Sequence, residues 1–168
     1  MASIFSFRCS SCGEIHEGAP SFGFRAPDPY LEQPEAIRRS GELGSDLCRY
    51  EDEDGAHYFI RVCLEVPIDG VPEPFLWGVW VSLSKRNFDR YAETFDAPDE
   101  NDRYFGWFCN YLPYYEKTYG LKAEVCPRAG GERPYIVLEK TGHVLCVDFH
   151  EGISVARAQE IAEKAMHG

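Results

Sequence analysis

Apolar and polar side chains alternate with a period of two along most of the middle of the chain, which is the signature of half-buried strands. Ser3 to Arg8 alternates in this way and runs straight into Cys9. Leu47 to Pro67 reads as a hairpin around an acidic turn at Asp52 to Gly55. In its second strand Tyr58, Ile60, Val62, Leu64 and Val66 share one face, the expected core side. Phe75 to Leu83 is apolar on both faces and predicts a central strand. Further strands are predicted at Tyr104 to Leu112, Leu121 to Cys126, Tyr135 to Glu139 and His143 to Phe149, punctuated by the Gly130-Gly131 and Thr141-Gly142 turns.

Helical spacing occurs in two places. Ser84 caps a segment in which Phe88, Tyr91, Ala92 and Phe95 fall at i, i+3, i+4 and i+7. Ser154 caps a second, with Val155, Ala158, Ile161, Ala162 and Ala165 on one stripe. Pro27, Pro29 and Pro34 leave room only for a short helix at Glu35 to Ser40. The pattern predicts an α+β fold: one mostly antiparallel sheet, two main helices and an N-terminal knuckle turn. Residues 1–168 are read as one domain, with the knuckle in 1–20, the sheet in 45–150, its inserted helix at 84–95 and the closing helix at 154–166. With 168 residues and 44% hydrophobic side chains, the chain can build one substantial core.

Charge narrows the partners. Seventeen basic against twenty-eight acidic side chains give a net charge of −11, which repels a phosphate backbone, so nucleic acid is not expected as a partner. The same acidity serves as a solvated surface or as a face built for a basic protein partner. No stretch approaches the roughly 20 apolar residues that span a bilayer. Seven cysteines without an export signal predict reduced thiols and a cytoplasmic location.

The most specific chemistry lies in Cys9-Ser-Ser-Cys12-Gly13-Glu-Ile-His16. Two thiolates two residues apart can chelate one ion from a tight turn, and Gly13 lets the backbone bend after the second. Zinc in a structural site is the natural occupant, with Cys9, Cys12, His16 and, from the start of the hairpin, Cys48 as the ligand set. A redox dithiol and a pair of reduced, metal-free cysteines stand as competing readings. A site with only three protein ligands, its open position holding a water, would instead make a zinc-dependent, hydrolase-like enzyme.

Elsewhere, Asp148 and His150 share a face of the strand expected at His143 to Phe149, while His57 and His167 read as surface residues. Nucleophile-elbow, metalloprotease and nucleotide-binding signatures are absent, so the chain leans away from an enzyme. Fourteen of the twenty-four aromatic side chains fall between Phe75 and Tyr119. A core accounts for most, and Trp80, Trp107, Tyr111, Tyr114 and Tyr115 are the candidates for a binding surface.

Cys9-x-x-Cys12-Gly13-x-x-His16, Trp77-Gly78-Val79-Trp80-Val81-Ser82-Leu83-Ser84, Phe105-Gly106-Trp107, Leu112-Pro113, Arg133-Pro134 and His143 with Gly152-Ile153 together resemble the bacterial family called domain of unknown function 2199. The resemblance implies a small stand-alone bacterial protein and transfers no catalytic residues. The resulting expectation is a zinc-stabilised binding or interaction module, with an immunity-type inhibitor of a basic partner as a further alternative.

Overall fold

The computed structural model describes residues 5–168. Ser3 and Ile4 of the first expected strand lie outside them, and its remainder is β1 (Ser6–Arg8). The chain continues through β2 (Ile15–Glu17), β3 (Ser21–Gly23), α1 (Asp28–Leu31), α2 (Glu35–Ser40), β4 (Glu42–Leu43), β5 (Leu47–Asp52), β6 (Gly55–Val66) and β7 (Phe75–Leu83). Then come α3 (Lys85–Glu93), β8 (Tyr104–Phe108), β9 (Lys122–Cys126), β10 (Tyr135–Leu138), α4 (Val144–Glu151) and α5 (Val155–His167).

Strands β6 to β10 close on themselves. Antiparallel ladders join β6, β7, β8, β9 and β10 in order, and a parallel pairing of Tyr135 with Cys63 returns β10 to β6. The Cys63 N–H donates to the Pro134 carbonyl at 2.8 Å to fix that seam. The result is a five-stranded barrel, extended by β5 and β4 beyond β6 and by β3, in parallel, beside β7. The knuckle strands β1 and β2 form a separate antiparallel pair. The fold is the expected α+β domain, with the short helix at Glu35–Ser40 where expected and with barrel closure and two further short helices, α1 and α4, added.

Period-two patterning explains the barrel's interior. Ile60, Val62, Leu64 and Val66 of β6 face Phe75, Trp77, Val79 and Val81 of β7, each 1% exposed or less. Removing side chains of this size from water contributes about 1.5–3 kcal/mol apiece. Helix α5 adds Ala158, Ile161 and Ala162 to the same cluster. Its start is fixed by the Ser154 hydroxyl, which accepts from the Arg157 N–H at 3.1 Å, and α3 is capped likewise by Ser84 from Asn87. On the outer face, Cys48, Tyr50, Phe59, Trp80 and Cys109 form a second buried cluster.

One expected strand is corrected. His143 to Phe149 forms the start of α4 rather than a strand, with His143 as its N-cap: Nδ1 accepts from the Leu145 N–H at 3.0 Å. A strand would bury Leu145, Val147 and Phe149 together, whereas the helix buries Leu145, Cys146 and Asp148 and leaves Val147 36% exposed. An apolar run this short reads alike in either period, and the polar cap decides for the helix. The histidine and carboxylate pairing envisaged there does not form. The Nε2 atoms of His143 and His150 each lie 2.6 Å from a backbone carbonyl, of Glu116 and Leu138 respectively. Asp148 is buried and accepts from the Tyr115 hydroxyl at 2.7 Å and from Arg157 at 2.9 Å, which ties the 110–120 loop to α4 and α5.

Candidate metal centre

The knuckle turns between β1 and β2, with Arg8 opposite Ile15 and Phe7 opposite His16. The Cys9 N–H donates to the Glu14 carbonyl at 2.8 Å and the Gly13 N–H to the Cys9 carbonyl at 2.9 Å. Gly13 takes φ +75°, a conformation that side chains with a Cβ adopt at a cost, so glycine after the second cysteine is what lets the turn close. The turn aims the Cys9 and Cys12 sulfurs to the same side as the His16 ring, whose Nε2 lies 3.5 Å from Cys12 Sγ.

The fourth donor comes from the far end of the chain. His167, in the last turn of α5, places Nε2 3.2 Å from Cys9 Sγ. One ligand atom from each of Cys9, Cys12, His16 and His167 falls within 4.8 Å of all the others. Tetrahedral donors at metal distances of about 2.0–2.3 Å stand roughly 3.3–3.8 Å apart, so small side-chain adjustments bring this set onto an ion. Two sulfurs and two imidazole nitrogens fit a metal, and the cluster could hold one.

Electrostatics favour the ligating form of Cys9. Burial pushes its thiol up, and the N–H groups of Cys12 and Ser11 with the Cys12 thiol outweigh that, leaving it below the ordinary value. Glu163 of α5 is also lowered, chiefly by the Ser10 N–H and then by the Ser10 hydroxyl that it accepts.

Cys48, expected as the fourth ligand, is not brought to this cluster. It is 1% exposed in the second apolar cluster, where burial pushes its thiol up to about 12. The alternation of β5 puts Cys48 on the buried face with Tyr50, away from the knuckle. His167, expected at the surface, is indeed exposed, yet it completes the set. The signal that could have found it is the polar row Gln159, Glu163 and His167 at four-residue spacing on α5.

The expected binding-surface residues divide. Trp80 is wholly buried, its indole N–H donating to the Phe24 carbonyl at 2.8 Å, and Tyr115 is buried against Asp148, so both belong to the interior. Trp107, Tyr111 and Tyr114 are 45%, 54% and 37% exposed. Trp107 lies edge-to-face with Phe105, and Lys122 sits over its ring at 5.8 Å. A shallow depression of about 380 Å³ borders His167, lined in part by Tyr114, Glu160 and Lys164. A larger cleft, about 690 Å³, shares none of its lining residues with the cluster, and its Arg128 and Arg133 are paired with Glu65 and Asp46.

Fold and site together define a single α+β domain on a small closed barrel, carrying a surface cluster of two cysteines and two histidines that could hold a metal. The chain belongs to the family of uncharacterised proteins conserved in bacteria named DUF2199, whose model matches residues 8–153. That match takes in Cys9, Cys12 and His16 and ends before α5. No curated protein and no solved structure matches the chain. Among the described residues, no helix is long and apolar enough to cross a membrane.

Proposed function

We propose that the protein is a zinc-stabilised binding or interaction module in which Cys9, Cys12, His16 and His167 hold one structural zinc. The observation that carries this reading is the convergence of all four donor atoms within 4.8 Å from the two ends of the described chain. Thiolate and imidazole donors in fours suit zinc, which accepts mixed sulfur and nitrogen ligands in a tetrahedron. Such an ion clips the knuckle to α5, which Ala158, Ile161 and Ala162 pack onto the barrel core. A complete set of four protein donors also stands against an enzyme that needs a vacant position for water, despite the depression beside His167. The redox-dithiol reading is disfavoured by local structure, because the turn at Cys9 leads into a strand and not into a helix start. Reduced thiols throughout fit a cytoplasmic protein, and the exposed Trp107, Tyr111 and Tyr114 are the part of the aromatic block available to a partner.

Elemental analysis of the purified chain is expected to find one zinc per molecule, and chelation to lower its stability. For an ion present at a thousand times its dissociation constant the loss is about 4 kcal/mol. Cys9→Ser is expected to release the zinc and to melt identically with and without chelator. A wild-type chain free of metal, melting as Cys9→Ser does, would contradict the proposal.

A further inference from the structure

We infer that Glu163 is a positioning residue of the metal centre, acting through Ser10 to hold the turn between the two cysteines in its ligating shape. The inference rests on the metal-binding reading of the cluster. Three residues of α5 at four-residue spacing meet the knuckle at three successive points. The Gln159 amide donates to the Arg8 carbonyl at 3.3 Å, just before Cys9. Glu163 accepts from both the N–H and the hydroxyl of Ser10, each at 2.7 Å, just after it. His167 meets the Cys9 sulfur itself at 3.2 Å. Gln159 also donates to Glu163 Oε1 at 3.3 Å, which braces the carboxylate from its own helix.

The distance between two thiolates in a Cys-x-x-Cys turn is set by the backbone of the two residues between them, here Ser10 and Ser11. Glu163 fixes the first of these through two charge-assisted hydrogen bonds, the stronger kind. The same helix face delivers His167, so docking α5 on the knuckle sets both the cysteine spacing and the fourth donor without help from an ion. Removing the Glu163 carboxylate leaves the four ligands in place but frees the turn, which an incoming ion must then order. Residues that orient ligands in this way typically change metal affinity 10–100-fold when removed. A residue that merely docks the helix would change melting and leave affinity alone.

The test is titration of the full-length chain and its variants with Co²⁺, followed by thiolate-to-cobalt charge-transfer absorption and the ligand-field bands. The wild type is expected to bind one Co²⁺ with tetrahedral bands. Glu163→Ala is expected to keep the band shape and to bind roughly tenfold more weakly. Glu163→Gln, which retains one acceptor oxygen, should recover part of the loss. Ser10→Ala should weaken binding by itself and add nothing to Glu163→Ala, because the two residues act as one unit. Should Glu163→Ala fail to fold, the glutamine and Ser10 variants carry the same comparison. Affinities within twofold of wild type, with lowered melting only, would overturn the positioning role and leave the metal centre standing. No cobalt charge-transfer band in the wild type would overturn the metal reading and this inference with it.

Discussion

Cysteines occupy two contrasting regions of this protein, and the difference shows what turns a thiol into a ligand. In the knuckle, Cys9 is as buried as any core residue, yet backbone N–H groups of its own turn face its sulfur and hold its thiol below the ordinary value. In the outer cluster, Cys48 and Cys109 are equally buried among Tyr50, Phe59 and Trp80, and burial pushes them up to about 12 and about 11. Cys9 lies at the rim beside the exposed Cys12 and His167, whereas Cys48 and Cys109 are enclosed by aromatic rings, so low solvent exposure alone is no guide to chemistry here. Local backbone geometry is: a tight turn presents donors to sulfur, whereas a strand spends its N–H groups on the neighbouring ladder.

That contrast can be broken from either side. Losing the ion through Cys9→Ser is the largest expected effect. Next comes Cys48→Ser, which places a hydroxyl in the apolar cluster and is expected to cost about 2 kcal/mol while leaving metal content at one per chain. Denaturant unfolding paired with elemental analysis checks both halves. Loss of metal in this variant would mean that the two regions are not separate.

The smallest effect concerns pH. A thiol raised in the folded state stabilises it fully below its unfolded value and loses that contribution as pH rises through the folded one. For Cys48 the window runs from 9.0 to about 12. Stability is expected to begin falling above about pH 9, by about 1 kcal/mol at pH 10 from this thiol, and Cys48→Ala should flatten that slope in denaturant melts taken across the range. An unchanged slope would remove the ionising thiol from the account.

The barrel's walls were legible in the sequence because their physics is local. Alternation along β6 named its core face, the apolar run of β7 marked a central strand, and Ser84 and Ser154 marked helix starts that their side chains do cap. Closure was not legible, since it depends on one parallel pairing between Cys63 and Tyr135, residues whose patterns read like any other strand's. Helix α4 was missed because His143 to Phe149 is too short for its period to separate strand from helix. The site shows the same division. Spacing in the knuckle picks out Cys9, Cys12 and His16, which the fold does bring together, but no spacing rule reaches from the knuckle to α5, so the sequence pattern points to Cys48 where the fold supplies His167. Donors that meet only through tertiary docking have no short-range signature; what remains visible is the polar row on α5 that accompanies one of them.

The central claim is that both ends of the described chain share one ion. X-ray absorption at the zinc edge of the purified protein tests it most directly. The account predicts two sulfur donors at about 2.3 Å and two nitrogen donors at about 2.0–2.1 Å, falling to a single nitrogen donor in His167→Ala. A third sulfur in the wild type, or an unaltered donor set in His167→Ala, would contradict it.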